Sequence, residues 1–234
     1  LSSSQSIAVA VGNVNEAPTI STSSFSIAEG STAIGTIAAS DPDASSTLSY
    51  TISGTDSSKF SINASSGAVA FLSPPNFESP TDNGLDNTYN FTVTVSDGSL
   101  SSSQSIAVAV GNVNEAPSFS IASAQSYVEN SGATISVAAN DPDASSSLTY
   151  TLSGTDASKF TISSSGVLSF SSAPDYEAPS DSGSNNVFNV SVAVSDGVNS
   201  SSVALVISLT DDTSDNFGIR LPAQVALAEL KKES

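Results

Sequence analysis

The chain has 234 residues, with 23 acidic side chains against 5 basic ones and a net charge of −18. Cys, Met, Trp and His are all absent, which excludes disulfides, a thiolate nucleophile, an imidazole base and any nitrogen or sulfur metal site. Three of the five bases, Arg220, Lys231 and Lys232, fall in the last fifteen residues, so residues 1–219 set 21 acids against Lys59 and Lys159 alone. Such a surface excludes nucleic acid and anionic membrane as electrostatic partners, and no run of about 20 apolar residues is present to span a bilayer. It also carries a self-repulsion that bound cations would relieve.

In chain order, the first feature is a block that occurs twice. Leu1–Pro18 reads LSSSQSIAVAVGNVNEAP and recurs letter for letter as Leu100–Pro117, 99 residues on. Asp41-Pro42-Asp43 recurs as Asp141-Pro142-Asp143, and Ser96-Asp97-Gly98 as Ser195-Asp196-Gly197. A period of about 100 residues predicts a tandem array of small domains that belongs to a longer series. Between the anchors apolar and polar residues alternate with period two: Tyr89, Phe91, Val93 and Val95; Ile106, Val108 and Val110; then Phe188, Val190, Val192 and Val194, and Val203, Leu205, Ile207 and Leu209. This is the pattern of strands with one buried face, and Asp-Gly, Asn-Gly and Asp-Pro steps mark the turns.

Seven strands are expected per repeat; in the second copy they begin near Ser118, Ala133, Leu148, Phe160, Val167, Val187 and Ser202. The fold class is therefore all-β, as two tandem seven-stranded antiparallel Greek-key β-sandwiches. Residues 1–18 are read as the last strand and linker of a preceding repeat, 19–113 as domain 1, 114–212 as domain 2 and 213–234 as a tail. Pro222 and Lys231/Lys232 favour a helix in that tail. The orphan strand at 1–11 is an exposed edge hazard and is expected to dock on a neighbouring edge or a second molecule.

The acids recur at matching positions: Glu29 with Glu129, Asp41/Asp43 with Asp141/Asp143, Glu78 with Glu177, and Asp97 with Asp196. A further set lies in the repeated joint Asn-Val-Asn-Glu-Ala-Pro at 13–18 and 112–117. Calcium takes six to eight oxygens at about 2.3–2.6 Å, more than any one group supplies, so several groups from the ends of consecutive sandwiches would have to converge. Asp56 and Asp156, in the repeated Ser-Gly-Thr-Asp, are read as turn formers, Asp82 and Asp181 as solvated loop acids, and Lys59 and Lys159 as snorkelling beside buried Phe residues.

The order Ala-Glu-Gly, Asp-Pro-Asp, Asn-Phe-Glu, Ser-Asp-Gly, Asn-Val-Asn-Glu-Ala-Pro, present in two copies, resembles a cadherin repeat. It is most similar to the cadherin-like domains of large bacterial surface adhesins of the RTX type. The resemblance covers about residues 1–212 and implies Ca²⁺ clustered at domain junctions. Carried over, the complete junction would use Glu29, Asn76, Glu78, Asn112, Asn114, Glu115, Asp141, Asp143 and Asp196. A partial site at the N-terminal end would use Asn13, Asn15, Glu16, Asp41, Asp43 and Asp97. A partial site at the C-terminal end would use Glu129, Asp175, Glu177 and Asp211. Asn76 and Asn112 stand where the family's animal members carry acids, which lowers the charge of that junction.

The function this implies is a secreted or cell-surface, calcium-binding adhesin or extender module, stiffened by Ca²⁺ into a rod for cell or matrix adhesion. Its partners would be neighbouring repeats of the same chain and a homophilic, polysaccharide or other cell-surface ligand. A calcium-dependent polysaccharide-binding module is the alternative, though aromatics make up only 6% of the chain. Most of those in strands face the core; Tyr127, beside Glu129, is the exception to inspect. Enzyme chemistry is not expected, because every candidate carboxylate pair is duplicated with the repeat and lies near a junction.

Overall fold

The period-two alternation becomes burial. A computed structural model describes residues 1–43, 46–143 and 147–214. The chain divides into two units, Leu1–Val113 and a second beginning at Asn114. In the first, the strands are β1 (Thr19–Ile20), β2 (Ser24–Ala28), β3 (Ala33–Thr36), β4 (Ala39–Ser40), β5 (Ser49–Ser53), β6 (Phe60–Ile62), β7 (Ala68–Phe71), β8 (Thr88–Ser96) and β9 (Ser101–Gly111). The second repeats them as β10 (Ser118–Phe119), β11 (Ala124–Val128), β12 (Ile135–Ser136), β13 (Ala139–Asn140), β14 (Thr149–Ser153), β15 (Phe160–Ile162), β16 (Val167–Phe170), β17 (Val187–Ser195) and β18 (Ser200–Thr210).

These nine segments are the seven expected strands with the first two interrupted. In the first unit, β1 pairs antiparallel with β4. After the polar Ser21–Ser23 step the chain re-enters as β2, which joins the four-stranded sheet β2-β9-β8-β5. The second strand breaks at Ile37, which is only 1% exposed and whose N–H donates to Gly67 O at 2.9 Å. The opposite sheet is β3-β7-β6. The second unit has the same layout, with sheets β11-β18-β17-β14 and β12-β16-β15.

One pairing departs from the antiparallel expectation. β2 runs parallel to β9, with Ser24 opposite Ala107 and Ala28 opposite Gly111, and β11 runs parallel to β18 in the same way. The interruption of the first strand explains this: its second half leaves the antiparallel partner β4 and takes the free edge of β9 in the other sheet.

Each core lies between the two sheets of its unit. In the first, Phe60 packs on Phe71 with ring centroids 4.5 Å apart, and Phe71 meets Tyr89 edge-on at 5.0 Å. In the second, Phe170 lies 4.4 Å from Phe160 and 5.0 Å from Phe188. Such edge and tilted contacts add about 0.5–1.5 kcal/mol per pair beyond burial. Tyr127 belongs to this core rather than to the surface: it is 7% exposed and sits 4.7 Å from Phe170. β11 turns every second side chain inward, and Tyr127 falls on the inward register opposite Leu209.

Residues 1–18 form no strand, and the expected docking of 1–11 on an edge is not seen. Ile7, Val9 and Val11 are 83%, 82% and 93% exposed, whereas their identical counterparts Ile106, Val108 and Val110 are 1%, 0% and 4% exposed inside β9. The difference is tertiary, since β9 has β8 and β2 on its flanks. Of the 213–234 tail, residues 215–234, which include the expected helix, lie outside the described residues.

The loop acids also depart from expectation. Asp82 and Asp181 are 2% and 5% exposed, not solvated. Asp82 accepts the N–H groups of Asp86 and Asn87, each at 3.1 Å; Asp181 accepts those of Gly183, Asn185 and Asn186 at 2.9, 3.1 and 2.8 Å. Asp56 does more than shape its turn. Its two oxygens accept Asn83 N–H at 2.9 Å and Asn90 N–H at 2.8 Å, tying the loop to β8, and Asp156 does the same with Ser182 and Asn189 at 2.7 and 2.8 Å.

Burial pulls the carboxyls of Asp82 and Asp181 upward in pKa, but the converging backbone N–H groups outweigh it and hold both below the usual range. A lowered folded-state pKa contributes stability that is present above the unfolded value of about 3.9 and is lost as pH falls through the folded value. Denaturant titrations between pH 7 and pH 2 are therefore expected to show stability falling below about pH 4, and Asp181→Ala is expected to cost about 1–3 kcal/mol at pH 7 by stranding buried donors. An unchanged midpoint for Asp181→Ala would count against this role.

Candidate metal centre

The expected ligands gather at the two ends of each unit, and backbone geometry places them. At one end of the second unit, Asp141 Oδ1 accepts Asp143 N–H at 2.9 Å, closing the Asp-Pro-Asp turn. Asp143 Oδ2 then accepts Glu115 N–H at 2.9 Å. Asp196 closes its own hairpin with Oδ1, which accepts Val198 and Asn199 N–H at 2.6 Å each, and reaches Asn114 Nδ2 with Oδ2 at 2.7 Å. Asn199 Nδ2 donates to Asn114 O at 2.8 Å. In the sequence Asn199 carries no signal beyond its place after a repeated Asp-Gly turn. The Asn114 amide and the hairpin N–H groups hold the Asp196 carboxyl below its ordinary pKa.

The first unit repeats this arrangement with its own residues. The Asp43 N–H donates to Asp41 Oδ1 at 2.8 Å, closing the turn, and the Asp43 carboxylate accepts Glu16 N–H at 2.8 Å and the Asn13 amide. Asp97 accepts Ser99 and Leu100 N–H at 2.6 and 2.7 Å and Asn15 Nδ2 at 2.8 Å. The Asn13 amide and the Glu16 N–H lower the Asp43 pKa, and the Leu100 and Ser99 N–H groups with the Asn15 amide lower that of Asp97. Asp43, Asp97 and Asp196 are thus held in the ionised form.

At the opposite end the organiser is a buried glutamate. Glu29, 9% exposed, accepts Phe77 N–H and Val113 N–H, each at 2.8 Å. Glu129, 1% exposed, accepts Tyr176 N–H at 2.6 Å and Asp212 N–H at 3.0 Å. One carboxylate so fixes both the acid–x–Glu loop and the segment that leaves the last strand. Asn76 and Asp175 cap that loop, accepting Ser79 N–H at 2.6 Å and Ala178 N–H at 3.0 Å. Carboxylate oxygens of Glu129, Glu177 and Asp211 lie within 4.8 Å of one another, as do those of Glu29 and Glu78. Asn112 follows β9 directly and is exposed.

Two observations fit these groups to a hard cation. Asp41 Oδ2 and Asp141 Oδ2 are buried and have no hydrogen-bond partner, and a buried carboxylate oxygen without a donor is costly unless a cation or water meets it. Secondly, three carboxylates within 4.8 Å repel; two unit charges about 4 Å apart near a protein surface do so by about 4 kcal/mol. The donors are all oxygen, the chemistry that suits Ca²⁺ or Mg²⁺.

With the fold and these groups described, the chain can be set beside known proteins. Residues 23–113 match the model of the cadherin domain. Among solved structures, human protocadherin-24 EC1-2 aligns with a TM-score of 0.58 and 23% identity, covering 84% of this chain and 100% of that one. Drosophila N-cadherin EC1-4 aligns at 0.55 and 22% over 84% and 50%. Mouse cadherin-23 EC22-24 aligns at 0.51 and 23% over 83% and 65%. At these identities the likeness establishes the fold: the chain folds as cadherin-type β-sandwiches. No curated protein sequence matches the chain. The second sandwich lies outside the span matched by the cadherin model, yet repeats its motifs at the same places. Among the described residues no helix is long and apolar enough to cross a membrane.

Glu177→Gln removes one of three clustered charges and leaves the backbone bonds of Glu129 intact. In chelator it is expected to hold or raise the melting temperature, and with millimolar calcium to lower it relative to wild type. Thermal melts of both proteins in both buffers check this, and a variant that loses stability equally in both would remove the case for a cation here.

Proposed function

We propose that the chain is a calcium-stiffened, extracellular adhesion or extender module, of the kind found in large bacterial surface adhesins. The carrying observation is that both repeats devote the same buried glutamate, Asp-Pro-Asp turn and Asp-Gly hairpin to fixing acidic oxygens at their ends, with scarcely a base in the chain to neutralise them. In this reading the joint at 112–117 takes Ca²⁺ through Glu29, Asn76, Glu78, Asn112, Asn114, Glu115, Asp141, Asp143 and Asp196. The sets Asn13, Asn15, Glu16, Asp41, Asp43, Asp97 and Glu129, Asp175, Glu177, Asp211 serve joints with further repeats. When bound, Ca²⁺ supplies the positive charge that lets these carboxylates share a site. The protein's own contribution is to hold each oxygen in place with main-chain donors.

The role is structural, without catalysis. The polysaccharide alternative loses its one candidate contact, since Tyr127 is a core residue. A ligand that binds only the folded state stabilises it by RT ln(1 + [L]/Kd), about 2.7 kcal/mol at 100 times Kd for each site. Extracellular modules often bind calcium with Kd of about 0.1–1 mM, so the module would depend on calcium-rich surroundings.

Calorimetric titration with calcium is expected to show binding that Asp143→Ala weakens at least tenfold. Melting temperature is expected to fall in chelator, and solution scattering to show a less extended particle. Identical melts and scattering profiles with calcium and with chelator would overturn the proposal.

A further inference from the structure

The first unit also carries a groove of about 680 Å³ beside Lys59, bordered on one side by Asn76 and Ser79 of the loop that bears Glu78. Lys59 is the one basic side chain of residues 1–113, and it is half-buried at the end of a short 3₁₀ turn just before β6. The segment after β7 forms the facing wall: Leu72, 63% exposed, and Pro74 present aliphatic surface. A backbone bond from Leu72 N–H to Lys59 O at 2.8 Å fixes the two sides together. Hydroxyls of Ser73, Ser79 and Thr81 rim it.

The duplicated repeat acts as an internal comparison. At the places of Leu72, Pro74 and Asn76 the second repeat has Ser171, Ala173 and Asp175. It keeps a lysine, Lys159, but exchanges the large aliphatic residue for a hydroxyl and adds an acid close by. The first repeat therefore combines, in one groove, an aliphatic wall and a cation whose field is not offset by an acid at position 76.

We propose that this groove binds an extended acidic peptide of a partner protein, with a carboxylate on Lys59 and a neighbouring aliphatic side chain against Leu72 and Pro74. Charge complementarity selects the carboxylate: the groove holds the only basic side chain of a strongly acidic unit. The aliphatic wall selects a peptide over a sugar. Phe71 and Tyr89 reach the groove but are 5% and 1% exposed, so no open aromatic face is offered for a pyranose ring to stack on.

The net charge of −18 repels an acidic peptide at long range, while the Lys59 contact acts at short range. Association is therefore expected to quicken with added salt as the repulsion is screened, the reverse of a surface with a broad basic patch.

The test is amide-resonance mapping of the whole chain against the capped peptide acetyl-Leu-Glu-Val-amide, with an oligouronate as second probe, in chelator so that calcium sites play no part. The peptide is expected to shift the signals of Ser58–Phe60 and Leu72–Asn76 and to leave Lys159 and Ser171–Asp175 unmoved. Lys59→Gln and Leu72→Ser are each expected to weaken binding about tenfold, with Lys59→Arg retaining it. Equal shifts in both repeats, no shift at Lys59, or binding of the oligouronate alone would overturn the proposal.

Discussion

The structure depends on carboxylates held by main-chain N–H groups. A chain this poor in bases cannot neutralise its acids with lysine or arginine, so it meets their oxygens with backbone donors. Asp56, Asp82, Asp156 and Asp181 do this in the loops before the long strands, and Glu29 and Glu129 at the sandwich ends. Each such bond is charge-assisted, and roughly twice as strong as a neutral one. The same device that closes the loops also aims the spare oxygens, so fold and candidate site are one construction.

That construction leaves a deficit at specific atoms. A backbone N–H satisfies one lone pair and supplies no net charge. Where acids stand alone, as at Asp56, two N–H groups suffice. Where they cluster, as at Glu129, Glu177 and Asp211, the donors fix the geometry but leave the repulsion in place. The distinction separates the acids that serve the fold alone from those that also point to a cation.

Much of the sandwich was legible because alternation with period two maps directly onto one buried face, and the strand starts at Ser118, Phe160, Val167 and Val187 coincide with the structure. The grouping of Glu129 with Glu177 rests on the resemblance to a cadherin repeat, because repetition matches positions between repeats and not the acids that meet within one. Other features were not, for physical reasons. Asp82 and Asp181 look like loop acids by composition, and only the fold shows the N–H groups converging on them. Tyr127 is placed by a parallel pairing that arises where the first strand changes sheets, which no local pattern encodes. The block at 1–18 makes the point most sharply: identical letters are exposed chain in one place and a buried strand in the other, because pairing partners, not sequence, complete a strand.

The parallel pairing of β2 with β9, and of β11 with β18, has a mechanical consequence. In each unit it joins the strand near the entry of the chain to the strand at its exit, side by side and pointing the same way. Tension applied between those two strands loads their hydrogen bonds in shear. The five residue pairs from Ser24–Ala107 to Ala28–Gly111 must then yield together rather than unzip one after another. The first line of resistance to pulling is thus built into the edge of each sandwich, whether or not an ion is bound at its ends.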